Sequence, residues 1–375
     1  MNTDYGFSRR QLLALCMVFV LSPALRLVPP TATQLAGRAA WLSPVLAAPF
    51  VALYAVFLGA LFSRRAYGEG VGQLTLRALG GRWGKVMLGA LAAWFLLYAA
   101  FTMRSGSERI ISTMYPDSGP EIFIVTMTAT CLIAALDAPR TLVRAANIFL
   151  AAVLGVLFVV LIFALFSVRR ENLLPVSVLD IPGALAAAGY TVNVSVLPLY
   201  AAAFLTPLRQ GEKQGAKSDV KWVLGVTLLL VWLLVGIVGC FGAELAAHLT
   251  HPFFTLVKNL RFFNTVERVE ALVVSLWFFT DFVVVSVCII AAQLCLRLIM
   301  GKSAAYTGEP LSSLRRGRWV IWLCAVFCAV LAFLLAPDPF TLDKWSRIVI
   351  PAINCAVAFI LLPIIYIVGR VRKTL

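Results

Sequence analysis

A carboxylate lies inside an apolar stretch of the sequence. Asp281 follows Phe278, Phe279 and Thr280 and precedes Phe282. A carboxylate at the centre of a membrane helix costs about 3 kcal/mol, so such a residue usually pairs, faces a cavity or titrates. Two interpretations stay open: Asp281 is a proton or cation site, or it forms a structural pair with a neighbouring arginine.

Helix-breaking and polar residues interrupt two further apolar stretches. Ser22 and Pro23 stand in the middle of the first, and the sixth carries a glycine, a proline and several polar side chains. In hydrocarbon an interrupted helix is tolerated only around a cavity or inside protein. Breaks at corresponding places in two halves of a chain indicate a solute site at the membrane midplane. The candidate binding residues are Ser22, Pro23, Gly189, Tyr190, Thr191 and Asn193.

Each of these features has a plainer interpretation. Proline and glycine are commoner in membrane helices than in soluble ones, so the two stretches need not be broken. Trp94 and Tyr98, at helical spacing, form a wall of the site or simply pack between helices. Arg26, just beyond Pro23, is a partner for an anionic solute or a side chain that reaches toward the membrane surface.

The composition indicates the elements that position these residues. Of the 375 residues 61% are hydrophobic and 13% are charged, whereas soluble domains carry roughly 25% charged residues. This excludes an ordinary soluble enzyme and predicts one membrane domain over residues 1–375. The formal net charge of +15 lies in short loops rather than in a continuous basic tract, which argues against nucleic-acid binding.

Ten stretches are long and apolar enough, or nearly so, to cross the roughly 30 Å of hydrocarbon as helices. If the N-terminus is cytoplasmic, roughly two thirds of the 32 lysines and arginines fall on the cytoplasmic side, as the positive-inside rule requires. Both termini are then cytoplasmic. The predicted spans are Leu12 to Pro30, Trp41 to Phe62, Val86 to Met103, Ile122 to Leu136, Ala145 to Val168, Ile181 to Leu205, Trp222 to Ala243, Leu272 to Ile299, Trp319 to Ala336 and Ile348 to Val368.

The link between the seventh and eighth spans predicts a short amphipathic helix in the membrane interface, beginning at Pro252. Its apolar residues Phe253, Leu256, Val257, Leu260 and Phe263 share one face, and Lys258 and Arg261 lie on another. Neither His248 nor His251 has a carboxylate or cysteine at ligand spacing. We therefore expect no catalytic residue, metal or cofactor.

Several segments together are similar to those of one known family. They are His251-Pro252-Phe253-Phe254, Phe262-Phe263, Glu267-Arg268-Val269-Glu270-Ala271 and Trp277, then Arg140 with Arg144-Ala145-Ala146, and Glu171-Asn172-Leu173-Leu174-Pro175. Through these segments the chain resembles, over essentially its whole length, the endospore germination permeases, which are the B subunits of spore germinant receptors.

This resemblance implies an all-α integral membrane fold with a five-plus-five inverted repeat, as in LeuT and the amino acid–polyamine–organocation transporters. It also implies a sensor of a small nutrient, an amino acid or a sugar. The partners would be A-type and C-type receptor subunits in the inner spore membrane or the cell membrane. The chain departs from the family after Gly189, where Tyr190, Thr191 and Val192 stand instead of an acidic residue.

We therefore expect a nutrient to bind near mid-membrane between the first and sixth spans, with walls from the third and eighth. One alternative is an active amino acid permease, proton-coupled through Asp281. Another is a purely structural membrane scaffold, which would leave the paired interruptions unexplained.

Overall fold

All regular elements in the described part of the chain are helical. The computed structural model describes residues 9–63, 69–137, 139–205, 216–259, 269–301 and 318–373. The helices are α1 (Arg9–Ala36), α2 (Ser43–Phe62), α3 (Val71–Leu79), α4 (Gly81–Thr113), α5 (Pro120–Leu136), α6 (Pro139–Leu165), α7 (Ile181–Ala203), α8 (Ala216–Phe241), α9 (Ala243–His248), α10 (Pro252–Asn259), α11 (Val269–Ile299), α12 (Arg318–Leu335), α13 (Pro339–Lys344), α14 (Ile350–Ala356) and α15 (Leu362–Val371). Short 3₁₀ turns lie at Gly37–Leu42, Arg170–Asn172 and Val178–Asp180.

Ten apolar helical segments account for the predicted spans within the described ranges. Seven helical stretches are long and apolar enough to cross a membrane, and the first of them, Arg10–Leu61, contains both α1 and α2. Two shorter apolar helices, Pro120–Leu136 and Trp319–Leu335, supply the rest. Large aliphatic side chains such as Ile133, Ile148 and Leu334 are exposed on the outside of the bundle, as expected where lipid is the solvent.

The third span is longer than the sequence predicted. We placed its end at Met103, but α4 continues to Thr113. The added turns carry charges that find partners inside the protein: Arg104 Nη1 lies 2.8 Å from Glu108 Oε2, and Arg104 Nε donates to the Ala336 carbonyl at 2.8 Å. Because these charges are paired, the helix continues past the point where hydropathy alone ends it.

The predicted interruptions of the first and sixth spans are wrong. Helix α1 is continuous through Ser22 and Pro23, and α7 is continuous through Gly189 and Asn193. The two helices pack along each other, and the Cys16 thiol lies 3.5 Å from the Pro198 carbonyl that it contacts.

Local hydrogen bonds explain why these polar residues do not break the helices. Thr191 Oγ1 donates to the Ala187 carbonyl at 3.3 Å, and Ser195 Oγ donates to the Thr191 carbonyl at 2.8 Å. Thr33 Oγ1 similarly donates to the carbonyls of Pro29 and Pro30. Hydroxyl groups that bond one turn back satisfy themselves within the helix, so they need no cavity.

The irregular span is instead the last one. Two π-helical turns, Trp345–Val349 and Val357–Leu361, flank α14 and join it to α13 and α15. Such turns carry extra residues, leave main-chain carbonyls available and often mark functional segments. The Pro351 carbonyl in α14 accepts a hydrogen bond from Asn193 of α7 at 2.7 Å.

A helix does begin at Pro252, but it does not lie with its apolar face in lipid. Phe253, Phe254, Leu256 and Val257 are all buried, and α10 packs against α1, α8 and α11. The protein itself therefore covers the apolar face of this helix, and its position at the membrane interface stays a prediction. Leu260, Arg261 and Phe263 lie outside the described residues.

The close packing of α1 and α7 makes Gly183 a sensitive position. A Cβ added at Gly183 would overlap the Leu35 carbonyl, whose backbone cannot move easily. We expect Gly183→Ala to destabilise the protein by about 1–3 kcal/mol, as overpacking does, and to lower the melting temperature in detergent.

Gly155 in α6 provides the matched control, since a Cβ there meets no atom within 4 Å. Gly155→Ala should be neutral or stabilising by up to about 1 kcal/mol, because alanine favours the helix. Equal melting temperatures for the two variants would contradict the tight contact at Gly183.

Candidate functional site

A buried ion pair joins α4 to α11. Arg109 Nη2 donates to Asp281 Oδ2, and Ser22 of α1 donates through Oγ to Asp281 Oδ1. Both charged side chains are only 1% exposed. Asp281 is thus paired with an arginine, as one of the two interpretations of the sequence predicted. Its carboxylate also connects three helices, α1, α4 and α11.

A glycine on α4 allows the carboxylate to approach this helix. A Cβ at Gly106 would lie 2.9 Å from Asp281 Oδ2 and 3.7 Å from Arg109 Nη2. Gly106 and Arg109 are three residues apart and therefore share a face of α4. The site thus depends on a small residue about one turn before the arginine.

A second guanidinium lies beside this pair. Arg26 follows Ser22 by four residues, so both side chains share one face of α1. Its Cζ lies 4.9 Å from the centre of the Phe101 ring, while Arg109 Cζ lies 4.3 Å from the centre of the Trp277 ring. Such cation–π contacts stabilise a guanidinium away from water. We call Arg26, Arg109, Asp281 and Ser22 the charged centre.

A histidine outside the spans faces the charged centre. Burial, together with the positive charges of Arg109 and Arg26, lowers the pKa of His251 from its usual 6.5 to about 4. His251 precedes α10, whose Phe253 ring packs edge-on against Trp277 with centroids 5.9 Å apart. The start of α10 therefore covers the charged centre, and His251 is neutral there near pH 7.

A separate polar network lies between α4, α7 and α14. Trp94 Nε1 donates to Tyr200 Oη at 2.7 Å, and Tyr200 Oη donates to Asn354 Oδ1 at 2.5 Å. Asn354 Nδ2 donates to the main-chain carbonyl and the side-chain oxygen of Asn193, at 2.8 and 3.1 Å. We call these four residues the amide network. Tyr98 adjoins it, with its ring centroid 5.6 Å from that of Trp94.

The residues predicted from the sixth span are not brought together around a solute. Tyr190 Oη donates to the Arg347 carbonyl at 2.9 Å, and Thr191 bonds within its own helix. Gly189 lines an open groove of about 480 Å³ whose walls are apolar residues of α2, α7 and the last span. Of the predicted residues, Ser22 and Asp281 meet in the charged centre, and Trp94 and Asn193 meet in the amide network.

A small cavity and the groove at Gly189 likewise lie in different parts of the bundle. A cavity of about 20 Å³, lined by Leu25, Phe253, Trp277, Thr280 and neighbours, lies between α1, α6, α10 and α11. Its volume holds about one water molecule. Neither this cavity nor the groove at Gly189 is lined by both α1 and α7. The interrupted helices therefore no longer support a solute site between the first and sixth spans, and that site stays a prediction.

Sequence reasoning missed Arg109, Gly106, Tyr200 and Asn354. For Asn354 a signal was available, because it is an amide inside an apolar stretch, as Asp281 is a carboxylate inside one. Arg109 had none, since its partner is 172 residues away. Within the described ranges, no group of three His, Cys, Asp or Glu side chains is arranged to hold a metal ion.

Comparisons with known proteins give a family and a fold. The sequence profile described as Spore germination protein matches residues 7–339. Among solved structures, the chain resembles the substrate-bound, outward-open state of a Na⁺-coupled sialic acid symporter, with a TM-score of 0.62 and 13% sequence identity, over 96% of this chain and 78% of that one. At this identity the likeness shows the fold alone, and it confirms the predicted all-α membrane transporter fold. No curated protein sequence matches the chain.

The charged centre makes Asp281 a position where a small change has a large effect. Asp281→Asn leaves the guanidinium of Arg109 buried without its carboxylate. We expect a loss of about 3–5 kcal/mol, typical of a buried pair that loses one partner, measured as the melting temperature of the purified protein.

Asp343→Asn is the matched control, because Asp343 forms an exposed pair with Arg347 at 2.7 Å. Its loss should cost under about 1 kcal/mol. The double variant Asp281→Asn/Arg109→Gln should recover part of the stability lost in Asp281→Asn. Equal effects of Asp281→Asn and Asp343→Asn would contradict a buried pair.

His251 predicts how stability depends on pH. Between pH 6.5 and about 4 the unfolded chain binds a proton that the folded protein does not, so stability falls as pH falls through this window. His251→Gln should flatten the dependence of melting temperature on pH in that range. His248→Gln, whose side chain is exposed, should leave it unchanged, and an unaltered slope in His251→Gln would refute this origin.

Proposed function

Because the chain belongs to the spore germination protein family, we propose that it is the transporter-like, nutrient-sensing subunit of a spore germinant receptor. It binds a small molecule, an amino acid or a sugar, within the membrane and triggers germination. It assembles with A-type and C-type receptor subunits in the inner spore membrane, with both termini cytoplasmic. It does no enzymatic chemistry itself.

The charged centre is the observation that supports a ligand-binding role. Ionisable residues inside a membrane protein are costly and usually mark a pathway or a site. Here Arg26, Arg109 and Asp281 are buried together, on three helices that belong to different parts of the chain. A purely structural scaffold would hold its helices more cheaply with apolar packing.

The same geometry provides a way to convert binding into a change of shape. Asp281 holds α1 through Ser22 and α4 through Arg109. A ligand that competes for either contact changes how these helices pack. To act as a switch it must prefer one packing by several kcal/mol, since moving an equilibrium from 1:99 to 99:1 takes about 5.5 kcal/mol. The partner subunits then read the new packing through contact.

An active permease is the second candidate, and the fold favours it. The similar solved structure is a Na⁺-coupled sialic acid symporter. In this chain, however, the buried carboxylate already pairs with Arg109, so a cation at Asp281 would have to compete with a guanidinium. This supports sensing over transport driven by a cation or proton at Asp281.

The proposed site therefore differs from the one that the sequence predicted. Ser22 and Asp281 remain in it, and Arg26 and Arg109 join it. Tyr98 lies beside it, with its ring centroid 6.3 Å from that of Phe101, the ring that Arg26 contacts. Trp94, Gly189, Tyr190, Thr191 and Asn193 remain predictions for ligand contact, with Pro23 now an ordinary residue of a continuous helix.

Ser22→Ala tests this function with a smaller change than the loss of either charged side chain. It removes one hydrogen bond to Asp281 and leaves the ion pair in place. Because a hydrogen bond to a charged group contributes about 1.5–3 kcal/mol, we expect the half-maximal nutrient concentration for germination to change by roughly tenfold or more. The measurement is germination of a deletion strain that expresses the variant, against a panel of nutrients.

Ser275→Ala is the control, since Ser275 is an exposed serine on the same helix as Asp281 that bonds one turn back to the Ala271 carbonyl. An unchanged nutrient response in Ser22→Ala, with normal protein levels, would exclude the charged centre as the sensor. Proteoliposomes separate the two candidates: concentrative, saturable uptake shows a permease, and binding without flux shows a sensor.

A further inference from the structure

The buried charges of the charged centre do not balance. Arg26 and Arg109 carry two positive charges, and Asp281 carries one negative charge. The other buried arginine nearby along α4, Arg104, has its own partner in Glu108. Among the described residues, Arg26 contacts the Phe101 ring and forms no ion pair. A buried charge without a counter-charge is strongly unfavourable, so one positive charge needs compensation.

Unused hydrogen-bond donors lie at the same place. Arg26 Nε, Arg109 Nε and Arg109 Nη1 are buried and have no hydrogen-bond partner among the described residues, and the same holds for Trp277 Nε1. Arg109 is almost completely buried and Trp277 is 3% exposed. Native proteins rarely leave several donors unsatisfied in one place. Guanidinium and indole N–H groups donate only, so whatever satisfies them must accept hydrogen bonds.

A negative ion with acceptor atoms satisfies both requirements at once. We infer that the charged centre binds a small monovalent anion, either the carboxylate group of the sensed molecule or a chloride ion, between Arg26 and Arg109 beneath α10. The assignment rests on the proposed function in taking this centre as the ligand site. It adds the chemical class of the ligand group.

The surroundings favour an anion over a cation and indicate how it enters. Burial and the positive charges of Arg109 and Arg26 lower the pKa of His251, the titratable group beside α10, and keep it neutral near pH 7. The same positive charges attract an anion and repel a cation. An anion that enters the charged centre passes α10, because Phe253 of this helix packs on Trp277, and Trp277 packs on Arg109. The cavity of about 20 Å³ beside Trp277 and Phe253 holds only about one water molecule, so the anion reaches the donors when these rings move. A displacement of α10 therefore exposes the donors.

The test measures the melting temperature of the purified full chain in detergent with chloride, formate, acetate or uncharged acetamide. We expect at least one anion, and not acetamide, to stabilise the protein, by on the order of 3 °C for each tenfold rise in anion concentration above its Kd. Stabilisation by formate and acetate assigns the site to a carboxylate, and stabilisation by chloride alone assigns it to a halide.

Arg26→Gln is the decisive variant, because it removes the excess positive charge and keeps the ion pair. It should abolish the anion effect and raise the melting temperature in the absence of added anion. Arg144→Gln, an exposed arginine on α6, should change neither. The inference is overturned if Arg26→Gln responds to anions as the wild type does, or if it is less stable than the wild type without them.

These experiments distinguish failure of the anion site from failure of the proposed function. An anion effect that depends on Arg26, together with normal germination in Ser22→Ala, would leave the anion site standing and remove the sensor role. A germination defect in Ser22→Ala without any anion effect would support the sensor and overturn the anion site.

Discussion

Every polar group that enters hydrocarbon must find its partner inside the protein, and this requirement organises the whole bundle. The Arg109–Asp281 pair meets this requirement, because it places opposite charges from α4 and α11 in contact where both side chains are almost completely buried. Helices α4 and α11 pack along each other over much of their length. The pair, the glycine at position 106 and the hydroxyl of Ser22 together specify how α1, α4 and α11 are arranged.

The buried polar groups form two separate regions, the charged centre and the amide network. The charged centre concentrates ionised groups between α1, α4 and α11. The amide network uses neutral groups to connect α4 and α7 to the last span, through Tyr200 and Asn354. Both regions touch α4, where Trp94 and Tyr98 lie one turn apart. A change of packing in either region therefore has a direct route to the other along one helix.

The sequence alone predicted the membrane fold and the approximate positions of the spans, because apolar length is a local property that lipid enforces. The sequence predictions were wrong where the structure depends on contacts between residues far apart in the chain. The end of α4 was misplaced because Arg104 bonds to Ala336 and Arg109 pairs with Asp281, contacts that no local pattern reveals. The interruption of α7 was wrongly predicted because Thr191 and Ser195 bond to carbonyls of their own helix. In α1, Ser22 bonds instead to Asp281 of α11, a partner that only the fold reveals. Asp281 was identified from its cost in lipid, but its arginine partner and the excess charge beside it required the fold.

The two π-helical turns of the last span have a geometric consequence for the end of the chain. Each holds one residue more than the α-helical turn that it replaces. Converting either turn to α-helix would therefore rotate everything beyond it by about 100° and shift it by about 1.5 Å. Beyond them, Arg372 donates to the Leu79 carbonyl at the end of α3, at 2.8 Å. A change between π- and α-helix at mid-span would thus be transmitted as a rotation of the last helix at its contact with α3, and would couple the lipid interior to a short helix near the start of the chain.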